Sequence, residues 1–62
     1  MTSDEIRQLR LATGLSQEDF ARELGISFAT VNRWENNKAA PSRLAQRLLD
    51  KCKKRRDRIQ AS

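Results

Sequence analysis

The stretch from Gly25 to Glu35, GISFATVNRWE, places two of the chain's three aromatics beside small polar side chains and one arginine. Arg33 offers a planar fork of donors, Asn32 both donates and accepts, and Ser27 carries a hydroxyl at the start of the segment. This is chemistry for holding a partner by hydrogen bonds. Chemistry that breaks bonds has no starting point: there is no histidine, no nucleophile beside a base, no carboxylate pair with an evident pocket and no Gly-rich phosphate loop. The single cysteine, Cys52, cannot close a bridge within the chain, and without histidine a zinc cluster is excluded. Neither an enzyme nor a cofactor is therefore expected.

The chain that must position these residues has 62 of them, enough for one small domain that buries only about 60% of its unfolded surface. With no disulfide or metal, stability has to come from helix packing. The composition, 34% charged and 37% hydrophobic with many Leu, Arg, Glu, Ala and Gln, reads as helical. A cytoplasmic location is expected, because no apolar run is long enough for a signal peptide or membrane span and a lone cysteine gives no reason for an oxidising compartment. The net charge of +5 is unevenly placed: residues 1–50 carry seven basic and seven acidic side chains, whereas residues 51–62 carry six basic ones and Asp57. Any contact of the folded part with an anionic partner must then rest on where charges sit, not on the total.

Four helices are legible. Thr2-x-x-Glu5 is a capping box that opens the first near Thr2 or Ser3, and Gly14 stops it. Ile6, Leu9, Arg10 and Thr13 share its inner face, an odd place for an arginine. Ser16-x-x-Asp19 reads as a second capping box for a very short helix with Phe20, Ala21 and Leu24 along one side, closed by Gly25. Ser27 caps the third helix, which ends at Asn36 or Asn37, both able to adopt the left-handed conformation. Pro41-Ser42 starts the fourth, with Leu44, Ala45, Leu48, Leu49 and Cys52 as its apolar stripe. Beyond Cys52 only Ile59 continues that stripe, so residues 53–62 are either a basic helical extension or a frayed tail.

Two short helices joined by a Gly-containing turn form a helix-turn-helix, and residues 17–36 supply each type its packing requires. Phe20 and Leu24 face the core, Ala21 is small at the helix crossing, Gly25 turns, Ile26 plugs the turn, and Val31 and Trp34 anchor the second helix of the motif. Over residues 4 to about 50 the chain resembles the phage-repressor and Cro type helix-turn-helix family, the XRE-type regulators, on LSQEDFARELGIS followed by TVNRWENNK. The resemblance implies an all-α fold, a compact bundle of four short helices with a helix-turn-helix in residues 1–52, followed by the basic extension 53–62. It also implies a buried ion pair between Arg10 and Glu35, which would account for the arginine on the inner face of the first helix.

The function implied is binding of double-stranded DNA and transcriptional regulation, as a repressor, with the helix over about 27–36 in the major groove. At about 100° per residue, Val31 and Trp34 set its inner face while Ala29, Asn32, Arg33 and Asn36 cluster outside. Base contacts are expected from Ser27, Phe28, Ala29, Asn32 and Arg33, the last donating two hydrogen bonds to guanine. Asn32 either reads adenine or is simply solvated. Phe28, at about 60° from Val31, either touches a thymine methyl or folds back near Ile26, and the family's docking geometry favours the first. Phosphate contacts are expected from Ser16 and Gln17 at the start of the second helix, from the loop Asn36, Asn37 and Lys38, and from Arg43.

Trp34 is expected to be core, Cys52 a small hydrophobe at the edge of the last stripe, and Leu11 an exposed leucine. The basic tail is read as an auxiliary phosphate contact. Members of the family commonly pair on DNA through a fifth helix, where this chain has an extended basic fourth one; a homodimer on DNA would place half-sites about 34–36 Å apart. Two other classes stand beside the regulator: an antitoxin whose main partner is a protein toxin, and a protein-interaction module of the same fold.

Overall fold

The computed structural model describes residues 1–61, with side chains for residues 1–56. These form α1 (Ser3–Thr13), α2 (Gln17–Leu24), α3 (Phe28–Glu35) and α4 (Arg43–Ala61), and no strand occurs among the described residues. No described helix is long and apolar enough to cross a membrane. The first three helices are started by hydroxyl side chains that accept from orphan amides: Thr2 from Glu5 N, Ser16 from Asp19 N and Ser27 from Thr30 N. At Thr2 the box is complete, because Glu5 Oε1 accepts from Thr2 N at 3.1 Å. At Ser16 only half forms. Asp19 is one methylene too short to reach back, and its carboxylate faces Arg22 at 3.5 Å instead.

The turn between α2 and α3 is fixed by backbone chemistry. Gly25 sits in the left-handed region at φ 74°, with Ile26 N–H donating to Ala21 C=O at 2.9 Å and Gly25 N–H to Arg22 C=O at 3.2 Å. This is a Schellman arrangement, and it turns the chain tightly enough for the half-buried Ile26 to pack against the core. A Cβ on Gly25 would meet no atom within 4 Å, so Gly25→Ala is expected to cost only the left-handed backbone penalty, about 1–2 kcal/mol, in a urea titration. A much larger loss would mean that the turn itself moves. The same pattern closes α3: Asn37, at φ 59°, takes the left-handed position while Asn36 does not. Lys38 N–H then donates to Arg33 C=O at 2.9 Å and Asn37 N–H to Trp34 C=O at 3.2 Å.

Ile6 and Leu9 of α1, Phe20 and Ala21 of α2, Val31 and Trp34 of α3, and Ala45 and Leu49 of α4 make one buried core. α3 packs on both α1 and α2, and α4 closes the bundle against α1, so the inner face of α3 is held from two sides. The stripe of α4 differs from the sequence reading at Leu44, which is 69% exposed. Ala45, Leu49 and Cys52 line up at i, i+4 and i+7, and that register turns Leu44, in the first turn, off the core. Leu11 is exposed and Cys52 half-buried, as expected; burial pushes the Cys52 thiol above its ordinary value, so it stays protonated at neutral pH. α4 runs on as helix to Ala61 rather than fraying after Cys52. The side chains of the tail residues Asp57, Arg58 and Ile59 lie outside the described residues.

Candidate nucleic-acid interface

The site is built outward from a buried carboxylate. Glu35, the last residue of α3, has a side chain only 1% exposed. Its two oxygens accept from Arg10 on α1, Nε at 2.7 Å and Nη2 at 3.0 Å, in a bidentate pair. Arg10 also donates to the Leu15 carbonyl at 3.1 Å, which ties the α1–α2 connection to the same pair. Burial would push the Glu35 carboxyl up, but the hydrogen bonds from Arg10 and Gln17 and the charges of Arg10 and Arg7 outweigh it and hold the group below the ordinary glutamate value. The hydrogen bond with Glu35 likewise holds Arg10 above its ordinary value. The carboxylate is ionised.

Two partners of Glu35 are absent from the sequence reading. Arg7 donates to the Glu35 carbonyl at 3.2 Å, with its Nε 3.6 Å from the carboxylate; the signal for it was the i, i+3 spacing of Arg7 and Arg10 on one helix. Gln17 donates from Nε2 to Glu35 Oε1 at 3.2 Å. Its side chain is thus turned to the α2–α3 junction, where its Oε1 accepts from Asn32 Nδ2 at 3.1 Å. Asn32 Oδ1 in turn accepts from Asn36 Nδ2 at 3.1 Å. Gln17, Asn32, Asn36 and Glu35 therefore form one hydrogen-bonded chain, from the core to the outer face of α3.

The remaining candidates lie on or beside that face. Phe28 is 49% exposed and forms no part of the core, so it stands outward at the start of α3. Ala29 and Arg33 are exposed, and among the described residues the Arg33 side chain has no hydrogen bond or ion pair. Ser27 is occupied in capping, its hydroxyl 2.8 Å from that of Thr30. Ser16 is likewise an exposed cap, while Asn37 and Lys38 form the exposed loop after α3 and Arg43 is exposed at the start of α4. Trp34 is 4% exposed and structural. Among the described residues no group of three or more His, Cys, Asp and Glu side chains comes together.

A short helix held from behind by α1 and α2, with its opposite face open and carrying one uncommitted arginine, defines an all-α helix-turn-helix domain. The helix-turn-helix family model matches residues 6–57, and the chain belongs to that family, in its XRE type. Three curated relatives are each 49% identical over 45 residues: the "Uncharacterized HTH-type transcriptional regulator YiaG" of Escherichia coli strain K12 and its namesakes in strains O6:H1 and O157:H7. The aligned part covers 73% of this chain but 47% of each relative, so the chain spans about half the length of the curated relatives it matches. No solved structure gives a significant match.

Proposed function

We propose that the domain binds duplex DNA sequence-specifically with α3 in the major groove and regulates transcription, as a repressor, in the cytoplasm. The observation that carries this reading is the division of α3: Val31, Trp34 and Glu35 are buried, while Phe28, Ala29 and Arg33 stand exposed on a helix fixed at both ends. A rigid helix with an open face fits the groove, and an uncommitted arginine there can pair bidentately with guanine O6 and N7. Phe28 supplies an apolar surface for a thymine methyl, beside Ala29 and Ser27. The name of the relatives, transcriptional regulators of helix-turn-helix type, agrees with this.

Residues 1–52 would act as the reading unit. Ser16 and the first-turn amides of α2, the loop Asn36, Asn37 and Lys38, and Arg43 would hold phosphates. Gln17, given its inward bonds, would reach a phosphate only by giving them up. Lys51, Lys53, Lys54 and Arg55 on exposed positions of α4 would add affinity that falls with salt and carries no sequence information.

Selection from a random duplex library at two salt concentrations, with Arg33→Ala run in parallel, tests the reading. An enriched motif is expected in which Arg33→Ala relaxes one guanine, at a cost of about 1–3 kcal/mol. A palindromic motif with half-sites about one turn apart would show two copies binding together. Salt-sensitive binding without enrichment would leave only the basic extension holding DNA, and no binding at either salt would turn the reading towards a protein partner.

A further inference from the structure

We infer that the start of α3 reads the C5 methyl group of a pyrimidine and not the rest of the base pair, so that 5-methylcytosine substitutes for thymine opposite Phe28 and cytosine methylation raises the affinity of a site. The inference rests on the DNA reading above and deepens it at one position of the motif.

Among the described residues the large hydrophobic side chains left exposed are Leu11 on α1, Leu44 on α4 and Phe28. Only Phe28 lies on α3, where Ala29 follows it, also exposed. Their backbone is fixed by the cap of the helix, because Ser27 Oγ accepts from Thr30 N–H at 3.2 Å and its hydroxyl meets that of Thr30 at 2.8 Å. Phe28 stays out of the core although Ile26, two residues before it, packs against that core.

A phenylalanine ring and an alanine methyl carry no hydrogen-bond donor or acceptor. Whatever they touch on a base edge, they sense only as shape and apolar surface. The major-groove edges are distinguished by donors and acceptors, and the one apolar group among them is the C5 methyl of thymine. Phe28 therefore senses the methyl and is blind to the thymine O4 beside it. In 5-methylcytosine the same methyl sits on the same ring carbon, with an N4 amine in place of O4. A side chain that neither donates nor accepts has no hydrogen bond to lose in that exchange. A polar residue at this position, bonded to O4 or N4, would separate the two methylated bases. With Phe28 there, sites gain affinity when their cytosine is methylated at C5.

The test uses the full chain and the motif from the selection. Phe28→Ala, run in the same selection, locates the position as the thymine that it relaxes. Duplexes with thymine, uracil, 5-methylcytosine and cytosine there, each with its paired purine, are then compared by fluorescence anisotropy, so that the methyl and the O4 or N4 group vary independently. The methyl is expected to strengthen binding about fourfold on either edge, the worth of one buried methyl group. Exchanging O4 for N4 with the methyl kept is expected to change binding by less than about twofold, well short of a bidentate base contact. In Phe28→Ala the methyl effect is expected to vanish, and in Phe28→Leu, which keeps a large apolar side chain, to persist; circular dichroism melting checks that both variants fold, and the wild-type comparison stands without them. Uracil binding as tightly as thymine overturns the inference, as does 5-methylcytosine binding as weakly as cytosine, a methyl effect that survives Phe28→Ala, or a selection in which Phe28→Ala relaxes no thymine. In each of those outcomes the guanine lost with Arg33→Ala still supports the DNA reading; a library that yields no motif overturns both.

Discussion

Replacing Glu35 with alanine is expected to remove about 3–5 kcal/mol, a large share of the stability of the protein. The change leaves the Arg10 guanidinium, whose side chain is 16% exposed, without its partner in the core, and breaking a pair of this kind costs about 3–5 kcal/mol. A domain of this length holds roughly 3–9 kcal/mol in all. Urea titration followed by circular dichroism at 222 nm reads the loss directly. The double change Arg10→Met with Glu35→Leu is expected to recover most of the stability, because an apolar pair removes both charges at once. A loss below about 1 kcal/mol for Glu35→Ala, on the scale of exposed pairs, would show that the pair is ornamental.

The same carboxylate sets the acid limit. Its folded-state value lies below the ordinary one, so its contribution is complete above the ordinary glutamate value of about 4.3 and is lost as pH falls through the lowered folded value. The melting temperature of the wild-type chain is therefore expected to fall below pH about 4.3 more steeply than that of Arg10→Met with Glu35→Leu, which lacks the titrating group. Parallel curves would place the acid sensitivity elsewhere.

The second large effect is expected at Phe20. Its side chain is fully buried on α2 where α2 meets α3, and Phe→Ala changes in cores cost about 3–5 kcal/mol. Phe20→Ala should then move the midpoint of urea unfolding far towards zero denaturant. Phe28→Ala is the contrast: at 49% exposure it should change stability by no more than about 0.5 kcal/mol, and under the proposed function it should weaken binding to a thymine-containing motif. Denaturation and DNA titration of the two variants separate the aromatic that builds the domain from the one that faces the partner. Comparable destabilisation of both would place Phe28 in the core.

The pattern of caps and stripes made most of the fold legible. Thr2, Ser16 and Ser27 start helices and Gly14 and Gly25 end them because each signal acts within a few residues of backbone, where neighbouring side chains have little say. The inner face of α3 followed from period alone, since Val31 and Trp34 have nowhere favourable to go but inward. What misled were features decided at a distance. Leu44 fits an apolar stripe by spacing, yet the register that buries Ala45 and Leu49 against the other helices turns it to solvent, and Asp19 fits the box pattern but is too short to close it.

The sequence by itself determined the four helices, the turn, the core residues of α1 to α3 and the exposure of Ala29, Arg33 and Asn36 on α3, because these depend on local propensity and a single helical period. It also held the Arg10 and Glu35 match, carried by family resemblance. Only the tertiary structure decided what those polar residues do with one another. Gln17 and Asn32 lie on different helices, and their bond exists because α2 and α3 cross beside a carboxylate that must be satisfied where water cannot reach it. Hydrogen-bond polarity inside such a junction is a property of the packed arrangement, and no periodicity along the chain encodes it.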